Sequence, residues 1–212
     1  LTSLVCVENT TNKGGGACYE LEDLQKIREV CDANNLKFHL DGARIWNALV
    51  AKNQDPLQFG ILFDTISVCF SKGMGAPIGS VLLMSEKDYP KALRIRKVLG
   101  GGMRQAGYLA AAALYAMEHN IERLTEDHRR AKELGEVLSK TNWVQAVEEV
   151  ETNIVIFSVL PHIKDELVIE KLKQKNISIS SLGKGKLRMV THLDYKEVMH
   201  SYVMEALEKM VF

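Results

Sequence analysis

Apolar residues along the chain gather into short unbroken runs that alternate with amphipathic stretches. Leu4–Glu8, rich in valine, reads as a buried strand. A polar, glycine-rich loop follows over residues 9–17. Leu21, Leu24, Ile27, Val30 and Cys31 recur at helical spacing and predict an amphipathic helix over residues 21–34. Residues 36–40 read as a strand ended by Asp41-Gly42, and a helix is predicted from Ala43 to about Lys52. Residues 65–70 form another apolar run, ended by Ser71-Lys72-Gly73, and Ser80–Met84 a fourth. Strand, helix, strand, helix, strand is the order of an α/β sheet with crossover helices. Because the runs are continuous rather than alternating, they predict a mostly parallel sheet buried on both faces.

From Glu86 to about Lys140 the pattern is helical, broken once by Gly100-Gly101-Gly102. Three adjacent glycines are costly inside a helix, so a sharp turn is predicted there. After Thr141 the texture changes. Strand-like residues 153–159, helix-like 163–175, strand-like 187–191 and a helix over 195–211 predict a small α+β domain. The expected division is a large-domain segment over residues 1–120 and a small C-terminal domain over 121–212. Since the first apolar stretch, Leu4 to Val7, reads as a strand already inside a fold, residues are expected to precede it.

Composition narrows the function classes. The 212 residues are 46% hydrophobic and 25% charged, a balance that supports a packed core. With 27 basic and 27 acidic residues the net charge is zero, which argues against a nucleic-acid binder with a broad basic face. No apolar run approaches the length of a membrane span. Cys6, Cys18, Cys31 and Cys69 are separated by 12, 13 and 38 positions, which matches no zinc spacing. They read as reduced, mostly buried thiols of a cytosolic protein. The six histidines, at 39, 119, 128, 162, 192 and 200, form no metal spacing either.

Lys72 carries the strongest chemistry. It follows a buried strand, at the carboxyl edge where α/β sheets bind ligands, and small residues crowd around it in Gly73-Met74-Gly75-Ala76-Pro77-Ile78-Gly79. A partly desolvated lysine there would be a usable amine nucleophile. The bland alternative is a solvated loop lysine. A dinucleotide-binding loop is disfavoured, because the glycine spacing misses by one residue and a strand, not a helix, follows. Asp41 ends the neighbouring strand, and read by itself it is a helix N-cap. Arg44, three residues on, has the fork geometry that holds a carboxylate bidentately; its alternative is a surface ion pair.

Asp41-Gly42-Ala43-Arg44, Ser71-Lys72-Gly73 with Gly75-Ala76-Pro77-Ile78-Gly79-Ser80, and the segment Arg96 to Gly107 resemble the signatures of the threonine aldolases. Glu126-Asp127-His128 and Arg188-Met189-Val190-Thr191-His192 extend the resemblance through the whole chain. The threonine aldolases are pyridoxal-phosphate (PLP) enzymes of the aspartate-aminotransferase-like group, fold type I. The resemblance implies that Lys72 forms the Schiff base to PLP, that Asp41 partners the pyridine nitrogen, and that Arg44 and Arg188 hold the substrate carboxylate. By the resemblance, Lys97 and Arg104 match basic residues that help bind the cofactor phosphate across a subunit interface; as ordinary residues they would be helix-surface charge. A homo-oligomer, dimer or tetramer, is implied.

Two departures stand out. The family often has Asn-Thr-His-Asn where this chain has Asn9-Thr10-Thr11-Asn12, and Thr11 cannot serve as an imidazole base. The chain also begins partway through the family's pattern. What precedes Leu1 would supply the main phosphate-binding loop and the aromatic ring that stacks on PLP, and 212 residues alone would bind PLP poorly. The implied reaction is cleavage of L-threonine or L-allo-threonine to glycine and an aldehyde. The alternatives are β-elimination or transamination on the same fold, or a non-catalytic piece that assembles with other chains.

Overall fold

The computed structural model describes residues 1–212, which divide into two compact units. One comprises Leu1–Thr10 and Cys18–Glu122; the other comprises Thr11–Ala17 and Arg123–Phe212.

In the first unit, strands β1 (Leu4–Glu8), β2 (Lys37–Gly42) and β3 (Thr65–Cys69) are parallel, and β4 (Ser80–Met84) closes the order β1-β2-β3-β4 antiparallel to β3. The crossovers contain α1 (Leu21–Ala33), α2 (Ile45–Lys52) and α3 (Pro56–Leu62). Helix α3 was not anticipated, although Asp55-Pro56 marks its start: the Asp55 side chain and Gln58 form a capping box, with proline in the first turn. Two further helices, α4 (Tyr89–Val98) and α5 (Gly107–His119), flank the glycine turn. That turn ends α4 as expected: Gly100 has φ +83°, and the Gly101 N–H donates to the Arg96 carbonyl at 2.8 Å.

Side chains alternate across a strand, and only one face of this sheet is covered. Val7, Phe38, Leu40, Ile66 and Val68 pack with Leu24, Cys31, Phe59 and Leu62. Each such burial contributes about 1.5–3 kcal/mol. The opposite face carries Cys6, His39, Asp41, Ser67 and Cys69, partly or fully exposed, so the expected burial of both faces is not met within this chain. Of the four cysteines only Cys31 is buried; all four are free. Asp64, just before β3, ties the sheet to α1. It accepts from Lys37 Nζ at 2.8 Å, Arg28 Nη1 at 2.9 Å and the Phe38 N–H at 2.9 Å. Those donors hold its carboxyl well below the usual carboxylate range despite partial desolvation.

The second unit is an antiparallel sheet of β5 (Val144–Val147), β6 (Ile154–Val159), β7 (Ser180–Gly183) and β8 (Lys186–Val190), in the order β5-β6-β8-β7. Helices α6 (Leu124–Lys140), α7 (Asp165–Gln174) and α8 (Glu197–Glu208) pack on it. Trp143, Phe157, Leu187, Leu138, Leu172 and Leu207 are almost fully buried in its core. Strands β5 and β7 were not anticipated: four residues each, they carry no apolar run of their own. His200, buried on α8, bridges Glu133 Oε2 on α6 at 2.7 Å and the Tyr195 hydroxyl at 3.1 Å.

Burial on α6 pushes the His128 imidazole down to about 4. In the unfolded chain it titrates near 6.5. Between these values the unfolded chain binds more protons, so stability falls as pH drops from above 6.5 toward 4, by up to about 3 kcal/mol. Urea midpoints near pH 7 and near pH 4.5 should fall less steeply for His128→Gln than for the parent protein; equal slopes would refute this source of acid sensitivity.

Candidate active site

Parallel register sets the geometry of the first unit's candidates. Asp41 pairs with Ser67, and Gly42 with Val68, so β2 and β3 end side by side with their carboxyl ends pointing the same way. Asp41 lies on the uncovered face with Ser67 and Cys69, two small side chains that leave that face open. Its Oδ1 accepts from the Ala43 N–H at 3.1 Å, a local turn bond that aims the carboxylate as β2 gives way to α2. Arg44 follows as the N-cap residue of α2, with its backbone out of the helical region at φ −132°.

Lys72 stands three residues beyond β3, in a turn fixed from several sides. Its carbonyl accepts from the Gly75 N–H at 2.9 Å, and Gly75 takes φ +74°, where a side chain would be strained. The Phe70 N–H donates to the Gly79 carbonyl at 2.9 Å, and the Ala76 N–H to the Phe70 carbonyl at 3.0 Å. Met74 and Ala76 tuck inward while Lys72 stays exposed. Lys72 is exposed, so the expected burial of its side chain is not met within this chain. Two residues that sequence reading passed over hold this corner. Asn120, after α5, donates to the Met74 carbonyl at 2.7 Å, and Trp46 Nε1 donates to the Cys69 carbonyl at 3.2 Å. Neither has a sequence signal, since both act on backbone far away in the chain.

Lys97 is on the last turn of α4 and Arg104 in the segment before α5; both are exposed and flank the glycine turn. A Cβ at Gly102 would come within 2.9 Å of Lys97 Cδ, so the glycine gives that lysine room.

In the second unit, Arg188 lies at the middle of β8, half-buried. Asn12 Oδ1 accepts from its Nη1 at 2.7 Å, and its Nε is buried with no partner. Thr11, in the place of the family histidine, makes only a long hydroxyl contact, 3.5 Å, to the Ala17 carbonyl. His192 lines a cavity of about 550 Å³ with Ile177, Met189, Tyr195 and Tyr202, and its Nδ1 accepts from the Asp194 N–H at 3.3 Å. The amine and the carboxylate thus belong to adjacent strand ends, a nucleophile and a hydrogen-bond acceptor beside small side chains.

Residues 1–160 match the family model described as beta-eliminating lyase. The chain belongs to the beta-eliminating lyase family. Among relatives, the chain is 40% identical over 194 residues to the low specificity L-threonine aldolase of Escherichia coli K12, covering 91% of this chain and 56% of that protein. It is 37% identical over 194 residues to low-specificity L-threonine aldolase 1 of Arabidopsis thaliana, covering 90% of this chain and 54% of that one. The chain thus spans a little over half the length of both. The threonine aldolase structure from Leishmania major superimposes with a TM-score of 0.80 at 20% identity, covering 98% of this chain and 60% of that one. The fold is accordingly the fold-type I, PLP-dependent transferase-like architecture that the motifs imply.

Proposed function

We propose that this beta-eliminating lyase-family chain is part of a PLP-dependent threonine aldolase, cleaving L-threonine or L-allo-threonine to glycine and acetaldehyde. The observation that carries the reading is the placement of Asp41 and the Lys72 turn at the carboxyl ends of adjacent parallel strands, with Arg44 opening the next helix. The named relatives, both threonine aldolases, point to the same activity.

PLP, when bound, supplies an electron sink for the pair released as the Cα–Cβ bond breaks. Lys72 would hold the cofactor through its ε-amino group. Asp41 would keep a proton on the pyridine nitrogen by placing a carboxylate beside it. Arg44 and Arg188 would fix the substrate carboxylate bidentately, and the orphaned Nε of Arg188 is a donor already desolvated for that contact. Fixing the carboxylate orients the Cα–Cβ bond for cleavage. Thr11 supplies no imidazole, so the proton of the β-hydroxyl leaves to another acceptor. Lys97 and Arg104 would contribute charge to the cofactor phosphate.

The exposed apolar side chains of α4 and α5 and the turn between them, Ile95, Val98, Leu99, Met103, Tyr108 and Tyr115, support an oligomer in which another copy covers them.

Product analysis decides the activity. PLP-loaded protein given L-threonine is expected to release glycine and acetaldehyde in equal amounts. β-Elimination would release ammonia and a four-carbon keto acid instead, and transamination would consume the cofactor's amino-accepting form without an aldehyde. Either pattern would replace the aldolase reading.

A further inference from the structure

The turn that carries Lys72 is flexible by composition and held by its surroundings. Gly73 and Gly75 bracket Met74, so the peptide groups around Met74 have more rotational freedom than residues with side chains would leave them. Three contacts remove that freedom. The Gly75 N–H closes the turn on the Lys72 carbonyl at 2.9 Å. The Met74 side chain is anchored inward, only 1% exposed. The Met74 carbonyl accepts from Asn120 Nδ2 at 2.7 Å, across 46 positions of sequence.

Asn120 directly follows α5, and it and the turn both lie in the first unit. Helix capping does not explain the residue. Asparagine is favoured at a helix end where the backbone turns left-handed. Asn120 instead has φ −113° and ψ −3°, which other residues adopt freely. The cap itself is its backbone N–H, which donates to the Ala116 carbonyl at 2.9 Å. The side-chain amide leaves the helix and reaches a carbonyl two residues from Lys72. Trp46 acts earlier in the chain: its indole binds the Cys69 carbonyl and so fixes the end of β3, not the turn beyond it.

We propose that Asn120 is a positioning residue for Lys72: by holding the Met74 carbonyl it fixes the turn in the conformation from which the ε-amine reaches the aldehyde carbon of PLP. This rests on the reading of Lys72 as the residue that condenses with the cofactor, given above. In that step the unprotonated amine adds to the aldehyde carbon, a C=N bond replaces the C=O bond, and the oxygen leaves as water. Asn120 touches neither reacting atom. Its loss leaves the amine in place but spread over more conformations, so condensation becomes less favourable while contacts to the ring and phosphate stay as they are.

Binding titrations of the full-length protein with two ligands test the proposal. PLP can condense with Lys72. Pyridoxine 5′-phosphate has the same ring and phosphate but an alcohol in place of the aldehyde, so it cannot. Asn120→Ala is expected to raise the PLP Kd about tenfold, the scale of one hydrogen bond, and to leave the pyridoxine 5′-phosphate Kd within about twofold. Asn120→Asp keeps the shape but turns an oxygen toward the Met74 carbonyl. It is expected to act in the same direction and carries the test if the alanine variant fails to fold. In a Lys72→Ala background neither substitution should change the PLP Kd further. Equal losses for the two ligands, or no loss for PLP in a folded variant, would overturn the positioning role while leaving Lys72 in its own. If Lys72→Ala leaves both the PLP Kd and the near-visible absorbance unchanged, the reading of Lys72 falls and the role of Asn120 with it.

Discussion

Lys72→Ala is expected to lose the near-visible absorbance expected of PLP-loaded parent protein and to lower the proposed threonine cleavage by about a thousandfold or more. The effect should be chemical rather than structural. Lys72 is exposed, in a turn held by backbone bonds among Phe70, Gly75, Ala76 and Gly79 and by Asn120. No bond of that framework uses the lysine side chain, so removing it should shift stability by no more than about 0.5 kcal/mol. Lys72→Arg separates charge from nucleophilicity: it keeps the cation but cannot condense with an aldehyde, and it should be as inactive as the alanine variant. Retained absorbance and cleavage in either variant, at an unchanged melting temperature, would remove Lys72 from the chemistry. An active arginine variant beside an inactive alanine variant would reduce its part to electrostatics.

What could be read from the sequence was what short-range pattern encodes. The run Leu4–Glu8 and the run Ser80–Met84 became strands with the bounds their apolar residues set, and three glycines after Leu99 stopped a helix because their backbone tolerates φ near +83°. The place of Lys72 after β3 followed from the same logic. Less legible was which face of the sheet is covered. Cys6 and Cys69 count as apolar, which hid the alternation with His39, Asp41 and Ser67 on the open face. The sequence marks residues 9–17 as a polar, glycine-rich loop, but its seat depends on Thr152, 136 positions away from Gly16, and no local pattern announces so distant a partner. Trp46 and Asn120 escaped for the same reason: each is defined by the group it reaches and not by its neighbours in sequence.

Gly42 shows how a single missing Cβ joins these levels, and Gly42→Ala is expected to damage both the fold and the site. The sequence reads Asp41-Gly42 as the point where a strand stops, yet Gly42 lies within β2, in register with Val68. The strand continues because the glycine lets β3 come close. A Cβ at position 42 would stand 2.6 Å from the Ser67 carbonyl oxygen and 3.2 Å from Ile45 Cβ. The first contact is to backbone, which cannot rotate away, so relief requires β2 to move from β3. Overpacking of this kind costs about 2–3 kcal/mol, or a melting temperature lower by roughly 5–10 °C in a chain of this size. The displaced strand end is the one that carries Asp41, so PLP affinity should drop by more than the loss of stability alone would cause. Trp46, whose indole donates to the Cys69 carbonyl at 3.2 Å, reports on the same corner by fluorescence. Gly60→Ala is the matched control. That glycine lies within α3 with nothing inside 4 Å of its would-be Cβ, so alanine there should stabilise by about 0.5–1 kcal/mol and leave PLP binding unchanged. If Gly42→Ala melts and binds PLP as the parent does, the close approach of β2 and β3 is not what sets the distance between the carboxylate and the amine, and the geometric basis for pairing Asp41 with Lys72 is lost.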